Sequence, residues 1–468
     1  MSRLTLRSVA ATPVPQQAGF AKDPQYFRTL MALAWPIALQ SMITQGVALL
    51  DNLIVGRLGD QAISAIFLAN QLTNLLIMAG IGFASAFIAI AGQYFGRRDY
   101  KAVSILHRIA FFCAATLSLS VSAFAFFRPT ACLQLFSDNS QLINTAIPYF
   151  KILAFTWPLT IEAAVLNVLL RVQNRAREGF YASLTAFLIN AVLNYLLIFP
   201  QGGFWTGLGL PGAAYATLVA RIVEFSMMLY FSNHRRLKLR FIETLRVRIR
   251  WRLLRDYFRY GSAILAGDMF WGVNLAIQGA IVGRLGATAV TAVTVANSLG
   301  QMLSVGIYGL RDGAAVLTSQ QIGSGRLDQL RPQMRSLQVF ILIAGCFFAV
   351  ILLICMPLVP IFFTELSPEA LALTRRFLWI SLPAMIACSY QLPILTGVMR
   401  AGGAVYFSMI NDIAYVLVLS IPLAALAAFT WKLDVGWVYF FLRFDQLFKC
   451  IPVFIVLRRY RWVHQLTH

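Results

Sequence analysis

The sequence predicts an all-α polytopic membrane protein with twelve transmembrane helices in two pseudo-symmetric six-helix lobes. Three observations lead there. Of 468 residues, 59% are hydrophobic and only 12% charged, with a mean hydropathy of +0.71, whereas a soluble domain carries about a quarter charged residues. Apolar runs near the roughly 20 residues that a spanning helix needs recur along the whole length. They are apolar on every face, which excludes the alternating strands of a membrane barrel. Finally, Ile54-Val55-Gly56-Arg57-Leu58-Gly59 recurs letter for letter as Ile281-Val282-Gly283-Arg284-Leu285-Gly286, 227 residues on (281 − 54).

Taken in order, residues 1–27 are polar and Pro-containing, without the apolar core of a removable signal peptide, and are expected to form a cytoplasmic tail. Helix 1 is placed at 29–55, with Pro36 near its start as a hinge candidate and Asp51 near its end. Helices 2 to 6 follow at 61–91, 105–127, 145–170, 181–199 and 211–232, so that 28–232 forms the first lobe. The longest hydrophilic interruption lies at 233–259 and reads as an interlobe linker. In it Leu245, Ile249, Trp251 and Leu254 alternate with five arginines, a composition suited to an anionic leaflet or to a solvated loop. Helices 7 to 12 are placed at 260–283, 288–320, 337–359, 371–399, 405–427 and 436–457. They make 260–457 the second lobe, before a tail at 458–468.

The repeat holds beyond its first six residues. At the same offset and without a gap, Leu68-Ala69-Asn70-Gln71-Leu72 pairs with Val295-Ala296-Asn297-Ser298-Leu299, Gln93 with Gln320, and Gly96 with Gly323. An even number of helices per half makes the repeats parallel, the arrangement with which transporters enclose a site between two rocking lobes.

The formal charge of +21 marks helix ends rather than one face, so nucleic acid is not an expected partner. With the amino terminus inside, roughly 28 of the 39 Lys and Arg fall on the cytoplasmic side and about six outside. Both termini are then cytoplasmic, in a bacterial inner membrane. Six scattered cysteines without CxxC spacing read as small buried hydrophobes. The four histidines fall near or beyond cytoplasmic helix ends. No HExxH, GxSxG or GxxxxGK[ST] occurs, which leaves a metalloprotease, an acyl-transfer enzyme or an ATP-driven pump without its chemistry.

Trp35-Pro36, Leu50-Asp51-Asn52 with Val55-Gly56-Arg57-Leu58-Gly59, Gln93 with Gly96-Arg97, and Leu170-Arg171 occur in this order. They are followed by Asn190-Ala191-Val192-Leu193-Asn194-Tyr195 and by the run from Gly207 to Thr217. Through these motifs, residues 28–460 resemble the multidrug and toxic compound extrusion family. The resemblance implies two six-helix lobes and export of organic cations or other amphipathic compounds against inward H⁺ or Na⁺ flow, with no other cofactor. It maps the amino-lobe cation site onto Asp51, Asn190, Asn194, Ala213 (through its carbonyl) and Thr217. Asn194 stands where some branches carry a second Asp, which favours protons over Na⁺. Ser389 stands where others carry an acid, which puts coupling through the second lobe in doubt.

The depth of these residues follows separately. Asp51 lies five residues before Gly56, Asn194 six before Pro200 and Thr217 six after Pro211, so all three sit roughly 8 to 9 Å below the outer surface at 1.5 Å per residue. Asn190 and Asn194 share a helix face. A charged Asp in hydrocarbon costs several kcal/mol unless paired or hydrated, so Asp51 is a functional candidate; its alternative is a neutral, hydrogen-bonded packing residue. Its protonation is expected to bias the bend that Pro36 permits.

Glu162, Glu224, Asp268, Asp312 and Asp412 are further candidates for proton relay or substrate contact. Arg221 is placed to pair with Glu224, whereas Arg311 with Asp312 and Arg443 with Asp445 are too near in sequence to be sure of meeting. Asn70, Gln71, Asn74, Asn297 and Gln301 suit a cavity or helix-to-helix hydrogen bonds. Trp157, Trp271 and Tyr390 suit flat cations or ordinary packing. The expected partners are membrane lipids and small-molecule substrates, and the expected state is a monomer. The alternatives are a flippase for lipid-linked substrates, which would need a basic cavity, and an intramembrane enzyme.

Overall fold

The structure, a computed structural model, describes residues 24–56, 58, 60–199, 207–362 and 366–467. The tail at 1–23, Arg57 and Gly59 of the repeated segment, and Pro200 lie outside the described residues.

Twelve long helical segments follow the expected order: α1 Pro24–Gly56, α2 Asp60–Gly96, α3 Tyr100–Phe127, α4 Ser140–Val172, α5 Ala176–Ile198, α6 Leu210–Ser232, α7 Trp251–Gly283, α8 Ala287–Gly323, α9 Leu330–Cys355, α10 Pro368–Met399, α11 Val405–Thr430 and α12 Val435–Arg459. Eleven of them are long and apolar enough to cross a bilayer. The remaining one, α12, spans 25 residues but carries Arg443, Asp445 and Lys449 at its centre, charges that must find partners before it can lie in hydrocarbon.

Proline sets the irregularities. Pro158 has no N–H for the Ala154 carbonyl and its ring crowds that oxygen. Helix α4 accordingly breaks at Phe155 into Ser140–Ala154 and Thr156–Val172, and the Ser122 hydroxyl of α3 donates to the freed Ala154 carbonyl at 2.8 Å. Pro393 in α10 begins a stretch of wider π-type turns, Leu392–Met399, and in α11 the π-type turns Tyr415–Ser420 end just before Pro422.

Several expected boundaries shift. Residues 24–27 belong to α1, and Tyr26 is buried. The linker is shorter than 233–259, because α7 begins at Trp251, and it contains a short helix, Phe241–Arg246. Nor is it a free loop. Gln173 bonds Leu239 through both N–H and carbonyl, each at 3.0 Å, the His107 ring meets the Thr244 hydroxyl at 3.1 Å, and Arg108 donates to the Val247 carbonyl. The presumed carboxyl-terminal tail folds back instead, burying Tyr460, Trp462, Val463 and Leu466.

The chain forms two compact units. One, called here the amino-terminal unit, comprises Trp35–Phe87 and Tyr100–Met269. The other, the carboxyl-terminal unit, comprises the chain up to Ala34, Ile88–Asp99 and everything from Phe270 onward. The expected lobes, 28–232 and 260–457, are drawn differently, because α1, α2 and α7 each contribute to both units. In the amino-terminal unit Leu166, Leu170, Ala182, Met228 and Phe241 share a core. In the carboxyl-terminal unit Leu30, Ile322, Leu337, Met399, Val453 and Trp462 do so.

Between helices in lipid, close packing and hydrogen bonds replace the hydrophobic drive. The end of α2 meets the end of α8 backbone to backbone: a Cβ on Gly92 would lie 2.0 Å from the Ser319 hydroxyl, and one on Gly96 would lie 2.0 Å from the Gln320 carbonyl oxygen. Only glycine fits there.

Candidate functional site

In the amino-terminal unit, α5 and α6 form a hairpin whose tightness sets the site. Gly209, with φ of 59°, turns the chain in a conformation that side chains disfavour. The Leu208 and Gly209 amides then bond the Leu197 and Ile198 carbonyls at 2.8 and 3.2 Å. Gly212 starts α6 against the Leu197 backbone, where a Cβ would come within 2.6 Å of the carbonyl oxygen. The hairpin therefore holds the faces bearing Asn190 and Asn194 on α5, and Ala213 and Thr217 on α6, directly opposite one another.

These four residues and Asp51 of α1 form one hydrogen-bonded chain. Asn194 Nδ2 donates to Asp51 Oδ1 at 2.5 Å and to Asn190 Oδ1 at 3.1 Å. Asn190 Nδ2 reaches Thr217 Oγ1 at 3.4 Å, and that hydroxyl donates to the Ala213 carbonyl at 3.0 Å. The two asparagines are buried. Among the described residues no basic side chain lies within ion-pair distance of Asp51, and Asn194 Oδ1 is buried without a hydrogen-bond partner. The local set is thus one carboxylate with neutral oxygens from Asn190, Asn194, Thr217 and Ala213, the hard-oxygen chemistry that suits a proton or a small alkali cation.

A narrow cleft lined by Thr44, Ser183, Asn190, Thr217, Arg221 and Glu224 continues from this chain. At its far end Arg221 and Glu224 form the expected pair, at 2.5 Å, and Ser183 Oγ donates to Glu224 Oε1 at 2.7 Å. Gln40 of α1 then links Ser183, at 2.9 Å, with Asn167 and Arg171 of α4, at 3.0 and 2.8 Å. This hub was missed in the sequence. Its available signals were a glutamine inside an apolar helix and the four-residue spacing of Asn167 and Arg171.

The other candidates divide. Glu162 is buried and neither oxygen has a hydrogen-bond partner among the described residues. Asp268, half-buried, belongs to the amino-terminal unit rather than to the second lobe. Trp157 is buried and its indole N–H donates to Thr73 at 3.0 Å; Tyr390 is buried and donates to Gln338 at 3.0 Å. Both are thus buried with their polar atoms bonded, whereas Trp271 is exposed. Gln71 bonds the Phe67 carbonyl of its own helix, Asn70 is half-buried, and Asn74 and Gln301 are exposed.

In the carboxyl-terminal unit the sequence-adjacent Arg311 and Asp312 do meet, at 2.7 Å. Arg443 passes Asp445 by and donates instead to Asn297 and to the Tyr439 hydroxyl. It also lines a cleft of about 280 Å³ with Trp379, Pro383, Phe440 and Phe444. Asp445 and Asp412 both bond Lys449, at 2.8 and 3.2 Å.

The MatE family model matches residues 36–196 and 269–426, a span that takes in most of both halves. The chain belongs to the MatE family. As a member it is a multi-pass membrane transporter and not an enzyme. Among its relatives is the probable multidrug resistance protein YoeA of Bacillus subtilis, 23% identical over 416 residues, covering 88% of this chain and 89% of the relative. Another is a FAD transporter of Shewanella oneidensis, 24% identical over 413 residues, covering 86% and 88%. The structure of a multidrug resistance MATE family transporter in an outward-facing conformation superposes with a TM-score of 0.84 at 18% identity, covering 95% of this MatE chain and 99% of the other. That likeness concerns the fold.

Proposed function

We propose that this MatE transporter is a secondary antiporter that exports small organic compounds, cationic or amphipathic, in exchange for H⁺ or Na⁺ by alternating access. The observation that carries the reading is the Asp51 carboxylate. It sits on a membrane helix, held by the Asn194 amide at 2.5 Å, with no basic side chain within ion-pair distance among the described residues; Arg221 is paired with Glu224. An acid in that setting is stable when it holds an external positive ion and costly when it does not. Loading and unloading then change the energy of the surrounding helices, and the Pro36 turn of α1 is the place where that change can become a bend. The description of the Bacillus subtilis relative as a probable multidrug resistance protein agrees with organic substrates. In this reading the protein works as a monomer in a bacterial inner membrane with both termini cytoplasmic, and it needs no cofactor beyond the coupling ion.

The test is efflux of an organic cation from vesicles containing the purified protein, with proton and sodium gradients imposed separately. Efflux driven by either gradient supports antiport and names the ion. Movement indifferent to both gradients overturns it, and gradient-independent movement of a lipid-linked sugar would favour a flippase.

A further inference from the structure

The carboxyl-terminal unit contains an ionic group built unlike the Asp51 chain. Lys449 of α12 is 1% exposed, and its Nζ lies 2.8 Å from Asp445 Oδ2 and 3.2 Å from Asp412 Oδ1 of α11. Gln391 Nε2 donates to Asp412 Oδ1 at 3.3 Å, and Gln446 Nε2 donates to Asp445 Oδ2 at 3.2 Å. Arg400 stands 4.0 Å from the far oxygen of Asp412. The Gln446 Oε1 oxygen, on a residue 8% exposed, is buried without a hydrogen-bond partner. Two carboxylates from different helices therefore hold one compact positive charge directly, with the Arg400 guanidinium at the far edge of Asp412; carboxylate oxygens are the donors that a small hard cation takes from protein.

The repeat register sharpens the contrast. The residue 227 positions after Asp51 is Gln278 (278 − 51), which donates to Asn274 Oδ1 at 3.1 Å. The second half is thus neutral where the first carries its acid. Asp312, another acid of this unit's membrane helices, is paired with Arg311.

We infer that the Lys449 ammonium is a tethered cation that fills the carboxyl-terminal unit's own cation-binding position, so that this unit has no ion to exchange. Lysine suits the role because its charge is a compact ammonium on a flexible stem, comparable to a bound alkali ion, whereas arginine would spread its charge over a planar fork. The transport consequence, that ions move through the Asp51 site alone, rests on the antiport reading; the binding claim does not.

Thermal unfolding of the full chain in detergent tests it, in chloride salts of sodium, lithium and choline at equal ionic strength. All variants carry Asp51→Asn, which removes the amino-terminal carboxylate as a source of any response. Adding Lys449→Met is expected to create a cation site, with sodium or lithium raising the midpoint by roughly 5–10 °C over choline at saturation. The parent is expected to show no such difference. Adding Asp412→Asn and Asp445→Asn to Lys449→Met is expected to abolish it. A Lys449→Met protein that unfolds at the same temperature in all three salts, or that fails to fold in all three, overturns the inference, since a free cation then cannot replace the ammonium. No transport is measured, so failure here leaves the gradient experiment standing, and the converse holds.

Discussion

Gly323 faces the backbone of Gln93 so closely that a Cβ there would lie 1.8 Å from the Gln93 carbonyl oxygen. The contact is reciprocal, because Gly96 faces the Gln320 carbonyl in the same way, and Gln93 with Gly96 are the repeat partners of Gln320 with Gly323. The two copies of one sequence motif thus pack against each other across a local two-fold, and neither glycine can acquire a side chain without moving backbone. Gly96→Ala and Gly323→Ala are each expected to cost about 3 kcal/mol or more, seen as a lowered thermal midpoint of the purified protein. Gly279→Ala, with open space around it, is the control and should leave the midpoint unchanged.

Asp51→Asn keeps the shape of the side chain and removes its carboxylate. Gradient-driven efflux from vesicles is expected to fall to the passive leak while substrate binding and the thermal midpoint persist. Undiminished pumping would exclude Asp51 from the coupling.

The break in α4 gives a double-mutant cycle. Ser122→Ala leaves the buried Ala154 carbonyl without its donor and is expected to destabilise by about 1 to 3 kcal/mol. In a Pro158→Ala background residue 158 regains an N–H, the helix can supply that bond itself, and Ser122→Ala should cost less. Equal costs in both backgrounds would refute the capping role.

Trp157→Phe separates packing from substrate contact. Loss of the bond to Thr73 is expected to lower stability by about 1 kcal/mol, with the range of exported compounds unchanged. A narrowed range at unchanged stability would restore Trp157 to the cavity.

What the sequence revealed, and what it hid, follows from the range of each interaction. Long apolar runs place helices because bilayer thickness fixes their length, and the hairpin glycines and the four-residue spacing of Asn190 and Asn194 already imply a shared layer with Thr217. The break at Phe155 was readable too, since Pro158 acts only four residues away. The Lys449 bond to Asp445 has the same helical spacing and was overlooked, whereas Asp412 meets that lysine only through the crossing of two helices. Gln40 escapes for the same reason, its partners lying 127 to 143 residues along the chain. The compact units could not be read from hydropathy, which reports where a helix lies in the bilayer and not which neighbours it takes.

The Gln93 side chain accepts from the Leu466 amide at 2.8 Å, 373 residues away, and donates to the His464 and Ala401 carbonyls at 3.1 and 2.9 Å. During synthesis the end of α2 therefore enters the membrane long before any of these partners exists. The amino-terminal unit can gather its helices as they emerge, but the other unit cannot complete the bonds of Gln93 until translation has passed residue 466, when residues 460–467 can fold back over α2. Biogenesis of this transporter accordingly includes a late latch, and a ribosome that stops between Arg459 and residue 466 releases a chain with the twelve long helical segments made and one unit still open.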